Sequence, residues 1–288
     1  MIAAQFDYQV ADTLDEAVAL LAKDPDGSKV LAGGHSLIPA MKLRLVQPQL
    51  LVDIARIKGL AYIREDGDRI LIGATTTHYE LQSSELLKRI CPLLPECAAS
   101  IGDVQVRNKG TIGGSLAHSD PAGDWPAAAI ALAADIVVIG SGGERVIKAD
   151  DFFVDLLTTA LQPGEILREI RIAKPQGRFG QAYQKVHHPA SGFAVVGIAT
   201  SLVMGADGFC QSASLGITGV AAKAYRARAV EIALAGNQLD EQTIAGAVSH
   251  VCEGIDPNSD LHASGEYRCH LAQVHTRRAI QTALQRAK

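Results

Sequence analysis

The sequence predicts an α+β protein of two domains, on three observations. Strand-like and helix-like runs alternate through the first half. The polar stretch Lys174-Pro175-Gln176-Gly177 holds a proline, a glycine and no apolar residue, as a linker does. Beyond it, three long runs rich in β-branched residues precede a helical tail. With 288 residues, 48% of them apolar, the chain has material for two cores, and the division predicted is 1–176 and 177–288.

The elements follow from local signals. Thr13-Leu14-Asp15-Glu16 fits a capping box, so a helix runs from there to about residue 22, and Asp24-Pro25-Asp26-Gly27 turns the chain. Strands follow at 29–31, 50–54 and 69–73. Thr77-His78-Tyr79-Glu80 is a second capping box, opening helical structure that continues through 86–99. The most apolar run, 125–140, is interrupted by Asp135 and is shorter than the roughly 20 apolar residues a membrane helix needs, so it reads as a buried helix followed by a strand. Strands 136–139 and 146–148 flank the Ser141-Gly142-Gly143 turn, and 166–172 completes this half. In the second half, 182–186, 194–204 and 211–220 read as strands, with Gly205-Ala206-Asp207-Gly208 as a hairpin turn. Helices at 229–235, 241–252 and 267–287 close the chain, giving a small sheet backed by helices.

Composition excludes several functions. A net charge of −4 offers no basic surface for nucleic acid. The first dozen residues lack a basic stretch followed by an apolar core, so no secretory signal is read and a cytoplasmic location is expected. Five cysteines without a C-x-x-C spacing argue against a disulfide framework, and against an iron–sulfur or structural zinc site in this chain; the expectation is five buried or inert thiols. His187-His188 has no third ligand in view, so no metal site is assigned.

The informative stretches are two glycine blocks. Ala32-Gly33-Gly34-His35-Ser36-Leu37 follows a strand, and Thr111-Ile112-Gly113-Gly114-Ser115 lies about eighty residues further on. Successive backbone N–H groups in such loops form nests for pyrophosphate oxygens, with Ser36, Thr111 and Ser115 as hydroxyl donors. Two unrelated turns would satisfy the glycines equally well. No G-x-G-x-x-G dinucleotide motif and no phosphate loop ending in G-K-[ST] is present.

The stretch from Ala32 to Lys42 (A-G-G-H-S-L-I-P-A-M-K), with Q-V-R-N-K-G-T-I-G-G-S from Gln105 and D-P-A-G-D-W-P-A from Asp120, resembles the FAD-binding medium subunit of molybdenum hydroxylases, of the carbon monoxide dehydrogenase and xanthine dehydrogenase type. The resemblance covers essentially the whole chain, including Phe6-Asp7-Tyr8 and Pro163-Gly164-Glu165-Ile166-Leu167. It implies a two-subdomain FAD-binding fold of the vanillyl-alcohol-oxidase (PCMH) type over 1–176, dividing near residue 55, and a carbon-monoxide-dehydrogenase-flavoprotein-like domain of small antiparallel sheet and helices over 177–288. It further implies that residues 32–36 and 111–115 hold the pyrophosphate and ribityl region of a non-covalent FAD, which leaves His35 as a polar neighbour and no covalent tether. Asp120 and Asp124 match acidic positions that accept hydrogen bonds from the cofactor, with helix capping before Pro126 as the plain alternative. Lys29 and Leu37 flank the adenine half. Lys185 would bring a cation to the flavin and Phe193 an aromatic ring to the isoalloxazine, the plain alternatives being a solvated strand lysine and a core phenylalanine. Where many relatives have a basic turn and a tyrosine, this chain has H-H-P-A-S-G-F.

The function implied is electron transfer, with no catalytic residue of its own. A small subunit with [2Fe-2S] clusters would deliver electrons, a large molybdopterin subunit would oxidise the substrate, and the three would assemble as a dimer of heterotrimers, a heterohexamer. A self-contained flavin-dependent oxidoreductase of the same fold is the alternative.

Overall fold

The computed structural model describes residues 1–287. The chain opens with β1 (Asp7–Val10), α1 (Leu14–Leu21), β2 (Ser28–Leu31), α2 (Leu37–Lys42) and β3 (Leu50–Asp53). These strands form a three-stranded parallel sheet in the order β1-β3-β2. Thr13 caps α1 by accepting from Glu16 N, and Glu16 Oε2 reaches back to Asp12 N at 2.8 Å.

Next come β4 (Ile63–Asp66), β5 (Arg69–Gly73) and five short helices: α3 (His78–Ser83), α4 (Glu85–Ile90), α5 (Leu93–Ala99), α6 (Val104–Lys109) and α7 (Ile112–His118). Both halves of the Thr77–Glu80 capping box are formed. After α8 (Asp124–Ala131) run β6 (Asp135–Gly140), β7 (Gly143–Lys148), α9 (Ala149–Phe152), the small pair β8 (Phe153–Asp155) and β9 (Thr158–Thr159), and β10 (Ile166–Ala173). β10 returns antiparallel between β5 and β6, giving a five-stranded sheet ordered β4-β5-β10-β6-β7.

The remainder folds as β11 (Arg178–His187), β12 (Ala194–Met204), β13 (Cys210–Thr218), β14 (Tyr225–Arg226), α10 (Arg228–Leu234), α11 (Glu241–Val248) and the long α12 (Gly265–Arg286). Its four strands are antiparallel in chain order. Each of the three main sheets has its own apolar cluster. Apart from Asp124, α8 is apolar all round, and all eight of its residues are buried. It packs against β13 so closely that a Cβ on Gly216 would fall 2.0 Å from Ala127 O.

Two readings of the sequence need correction. Cys252 and Cys269 are joined in a disulfide, while Cys91, Cys97 and Cys210 are buried free thiols. A separation of 17 residues carries no recognisable spacing; the pair meets because the segment after α11 folds back onto α12. The second correction concerns short elements the periodicity missed: β1, α2, β4 and α6 are four to six residues each, too short to show a repeat. No helix among the described residues is long and apolar enough to cross a membrane.

Candidate functional site

A cavity of about 650 Å³ runs between the parallel sheet, the start of α7 and the turn that enters β12. Its position follows from topology. β2 delivers the first glycine block at the carboxyl end of a parallel strand, where open α/β sheets bind their ligands. The Thr77–Thr111 bridge sets the second block opposite, through His78 N to Gly110 O and Ile112 N to Thr76 O, both 3.0 Å.

The two blocks touch each other. A Cβ on Gly33 would lie 2.1 Å from Lys109 O and 2.9 Å from Gly110 Cα, so glycine is required for the loops to meet. Gly34 has φ +73°, the left-handed conformation that lets the chain turn from strand into α2. Among the described residues, the backbone N–H groups of residues 33–37 donate to no protein acceptor, and Ser36 makes no capping bond with its side chain. Five consecutive unpartnered donors therefore stand on the cavity wall, an arrangement that can receive an anion.

The second block is built differently from the expectation. Its N–H groups are already used: Gly113 N donates to Ala74 O at 2.9 Å, Gly114 N to Thr111 Oγ1 at 3.1 Å and Ser115 N to Thr111 O at 3.0 Å. Thr111 is the N-cap of α7, and Gly113 lets the helix start press on Ala74. This block therefore offers a smooth backbone surface and the Thr111 and Ser115 side chains, without a second nest.

Of the expected site residues, Lys29, Ala32, Gly33, Gly34, His35, Ser36, Leu37, Thr111, Gly113, Gly114, Ser115, Asp124 and Phe193 line the cavity together. Ile112, Asp120 and Lys185 do not. Ile112 points into the core at 2% exposure. Asp120 is spent on its own turn, accepting from Ala122 N at 2.8 Å and standing 3.9 Å from His118 Nε2. Lys185 is neither solvated nor at the wall: its Nζ donates to Asp124 Oδ2 and to Ser100 O, each at 2.8 Å, and its side chain is 1% exposed. Nor does Asp124 cap α8, whose N-cap is Gly123. Its carboxylate takes the Lys185 ammonium on one oxygen and the Tyr183 hydroxyl, at 2.6 Å, on the other. Burial pushes its pKa up, against the pull of Lys185 and Tyr183.

Several wall residues escaped the sequence reading. Ser28 is 3% exposed, and its hydroxyl is buried without a protein partner. His78 receives the Trp125 indole N–H on Nδ1 at 3.0 Å, and burial, with His35 and Arg107 adding to it, lowers its pKa to about 4, so the ring is neutral. Residues 157–159 and 161–167 close one side and Val106 another. A serine inside a strand and the short hairpin at 157–159 carry no motif, so no sequence signal marks them; the 163–167 stretch stands out only as part of the resemblance, without a place in the site.

An extended flavin dinucleotide fits these residues. The cavity has the size of a small-molecule site, five free N–H groups suit a pyrophosphate, and the orphaned Ser28 hydroxyl lacks only a polar ligand atom.

Residues 4–175 match the family described as the FAD binding domain in molybdopterin dehydrogenase, and residues 181–283 match the CO dehydrogenase flavoprotein C-terminal domain. The chain is 40% identical to the carbon monoxide dehydrogenase medium chain of Afipia carboxidovorans, covering 100% of both proteins. It is 36% identical to 6-hydroxypseudooxynicotine dehydrogenase complex subunit alpha of Paenarthrobacter nicotinovorans, over 98% of this chain and 96% of that one. Among solved structures, carbon monoxide dehydrogenase from Hydrogenophaga pseudoflava superposes with a TM-score of 0.97 at 38% identity, covering 100% of each chain.

Proposed function

The chain belongs to the FAD-binding subunits of the molybdopterin dehydrogenases, and from that membership we propose that it takes electrons from iron–sulfur clusters of a partner subunit and passes them through FAD to an external acceptor. It is a medium, FAD-bearing subunit of the molybdenum hydroxylase type, with the two-part FAD-binding fold and C-terminal domain of that family. The observation that supports FAD binding, on which the electron-transfer reading rests, is the row of unpartnered N–H groups at residues 33–37 on a cavity of dinucleotide size.

FAD, when bound, supplies redox chemistry that accepts electrons singly and releases them singly or in pairs. The residues do the rest. The N–H groups of 33–37 would hold the pyrophosphate, and the Ser28 hydroxyl would bond a polar atom beyond it. Asp124, fixed by Lys185 and Tyr183, keeps remaining lone pairs for a ligand N–H or O–H. His78, neutral, adds no charge to the wall. Phe193, on the cavity wall in the C-terminal domain, would turn its aromatic ring to the flavin end of the cofactor.

The partners proposed are a [2Fe-2S] small subunit and a molybdopterin large subunit, assembled as a dimer of heterotrimers in the cytoplasm. The relatives' names cite carbon monoxide and 6-hydroxypseudooxynicotine, so substrate choice belongs to the partner. Purification from the host under native conditions tests this. The account expects one co-purifying chain with cysteine-rich cluster motifs and one large chain carrying molybdopterin. A free monomer that oxidises an organic donor unaided would establish the self-contained flavoenzyme instead.

A further inference from the structure

The turn that brings Phe193 to the cavity is fastened on one imidazole nitrogen. His188 Nδ1 lies 3.3 Å from Ala190 N, 3.2 Å from Ser191 N and 3.1 Å from Ser191 Oγ. Two of these groups are backbone N–H, which can only donate, so Nδ1 carries its lone pair and the proton of the neutral ring sits on Nε2. Ser191 Oγ in turn accepts from Phe193 N at 3.4 Å. The chain of bonds thus runs from the His188 ring through Ser191 to the backbone of Phe193. Ser191, Gly192 and Phe193 all line the cavity, and Gly192 (φ +70°) faces the segment before α6, where a Cβ added to it would make an ordinary contact with Gly102 Cα at 3.5 Å. Phe193 is 44% exposed, so core packing does not fix it and the turn must.

We propose that His188 is a positioning residue: its neutral ring holds the 191–193 turn against the cavity, and its protonation loosens that turn, making access to the bound cofactor depend on pH. This rests on the FAD reading above. A proton on Nδ1 occupies the lone pair and sets an N–H against the N–H groups of Ala190 and Ser191; only the Ser191 hydroxyl can reverse its role and accept. The bonds from His188 N to Phe193 O, 2.8 Å, and from Gly192 N to His188 O, 2.9 Å, do not involve the ring. Protonation therefore frees the inner edge of the turn while its base stays closed.

The charged surroundings do not cancel the effect. From the segment before α12, the His262 ring meets His188 edge-on at 4.2 Å between centroids, so a proton there opposes one on His188. Asp260, the acid of that segment, is engaged by the N–H groups of His262 and Ala263 and by Arg268 at 2.6 Å. On the strand side, Lys185 is neutralised by Asp124, and the pKa of His187 is lowered by burial and by Lys185.

The test uses the full chain with its flavin, wild type against His188→Asn and His188→Ala, across a pH series from mildly alkaline to mildly acidic. Asparagine offers an acceptor oxygen to the same N–H groups and does not titrate. Two readouts are taken at each pH: deuterium exchange of the 190–193 amides relative to H188N, and quenching of flavin fluorescence by iodide. In the wild type both should rise severalfold as pH falls, H188N should stay protected throughout, and H188A should be loose at every pH. The proposal is overturned if H188A matches the wild type at high pH, or if the difference between wild type and H188N does not change with pH. A preparation without flavin would refute the FAD reading alone, since the exchange measurement still decides what His188 does.

Discussion

Replacing Lys185 by methionine removes the cation from an almost fully buried ion pair. The side chains of Lys185 and Asp124 are 1% and 5% exposed and 2.8 Å apart, so solvent screens neither. Methionine nearly preserves the volume, and the loss is therefore electrostatic: the carboxylate keeps the Tyr183 hydroxyl and is otherwise left buried and uncompensated. Removing one partner of such a pair costs about 3–5 kcal/mol, a large share of a total stability of about 5–15 kcal/mol. The sign of the pH dependence follows. Burial already raises the Asp124 pKa against Lys185, so losing Lys185 raises it further. A folded-state carboxyl with a raised pKa takes up a proton on folding, so the cost of K185M shrinks as pH is lowered through that pKa. Adding Asp124→Asn to K185M should recover much of the loss at neutral pH, because no charge then remains buried. Urea denaturation of wild type, both single variants and the double variant measures this. The reasoning fails if K185M lies within about 1 kcal/mol of wild type, or if the double variant is no more stable than K185M.

Gly33→Val must force its side chain into Lys109 O, 2.1 Å from the Cβ position, and so separate the two loops; flavin content should drop while far-UV circular dichroism is unchanged, and full occupancy would contradict the site. His78 has a folded pKa of about 4 against an ordinary 6.5, so the unfolded chain alone takes the proton between these values. Stability should therefore fall, by up to about 3 kcal/mol, as pH drops through that window; His78→Gln should flatten the slope, and an unchanged slope would show that another group causes it. Thiol labelling without reductant should modify three cysteines after denaturation and essentially none before it, since Cys91, Cys97 and Cys210 are buried and Cys252 is bonded to Cys269; five labelled thiols in the denatured chain would exclude the disulfide.

The parts legible in the sequence are those governed by local chemistry. The Thr77–Glu80 capping box, the Thr13 N-cap (whose Glu16 reaches Asp12 N in place of the cap's own N–H), the 69–73 strand and the apolar helix after Gly123 follow from short-range signals, and they are where those signals put them. The glycine blocks were legible as positions of close approach, but which block kept free donors was not, because Ala74 O and Thr76 O reach the second block only once β5 and the Thr77–Thr111 bridge have formed. Lys185 shows the same limit more sharply. Its partner lies 61 residues away on another element, so no pattern within β11 distinguishes a buried cation from a solvated one. Ser28 and Cys269 likewise depend on what the tertiary fold brings to them.

Acid precipitation of the purified chain tests the central claim most directly. The account predicts that FAD, one per chain, is released into the supernatant from a pellet left colourless. A colourless starting protein, a mononucleotide in place of FAD, or yellow colour that stays with the pellet through a bond to His35 would contradict it.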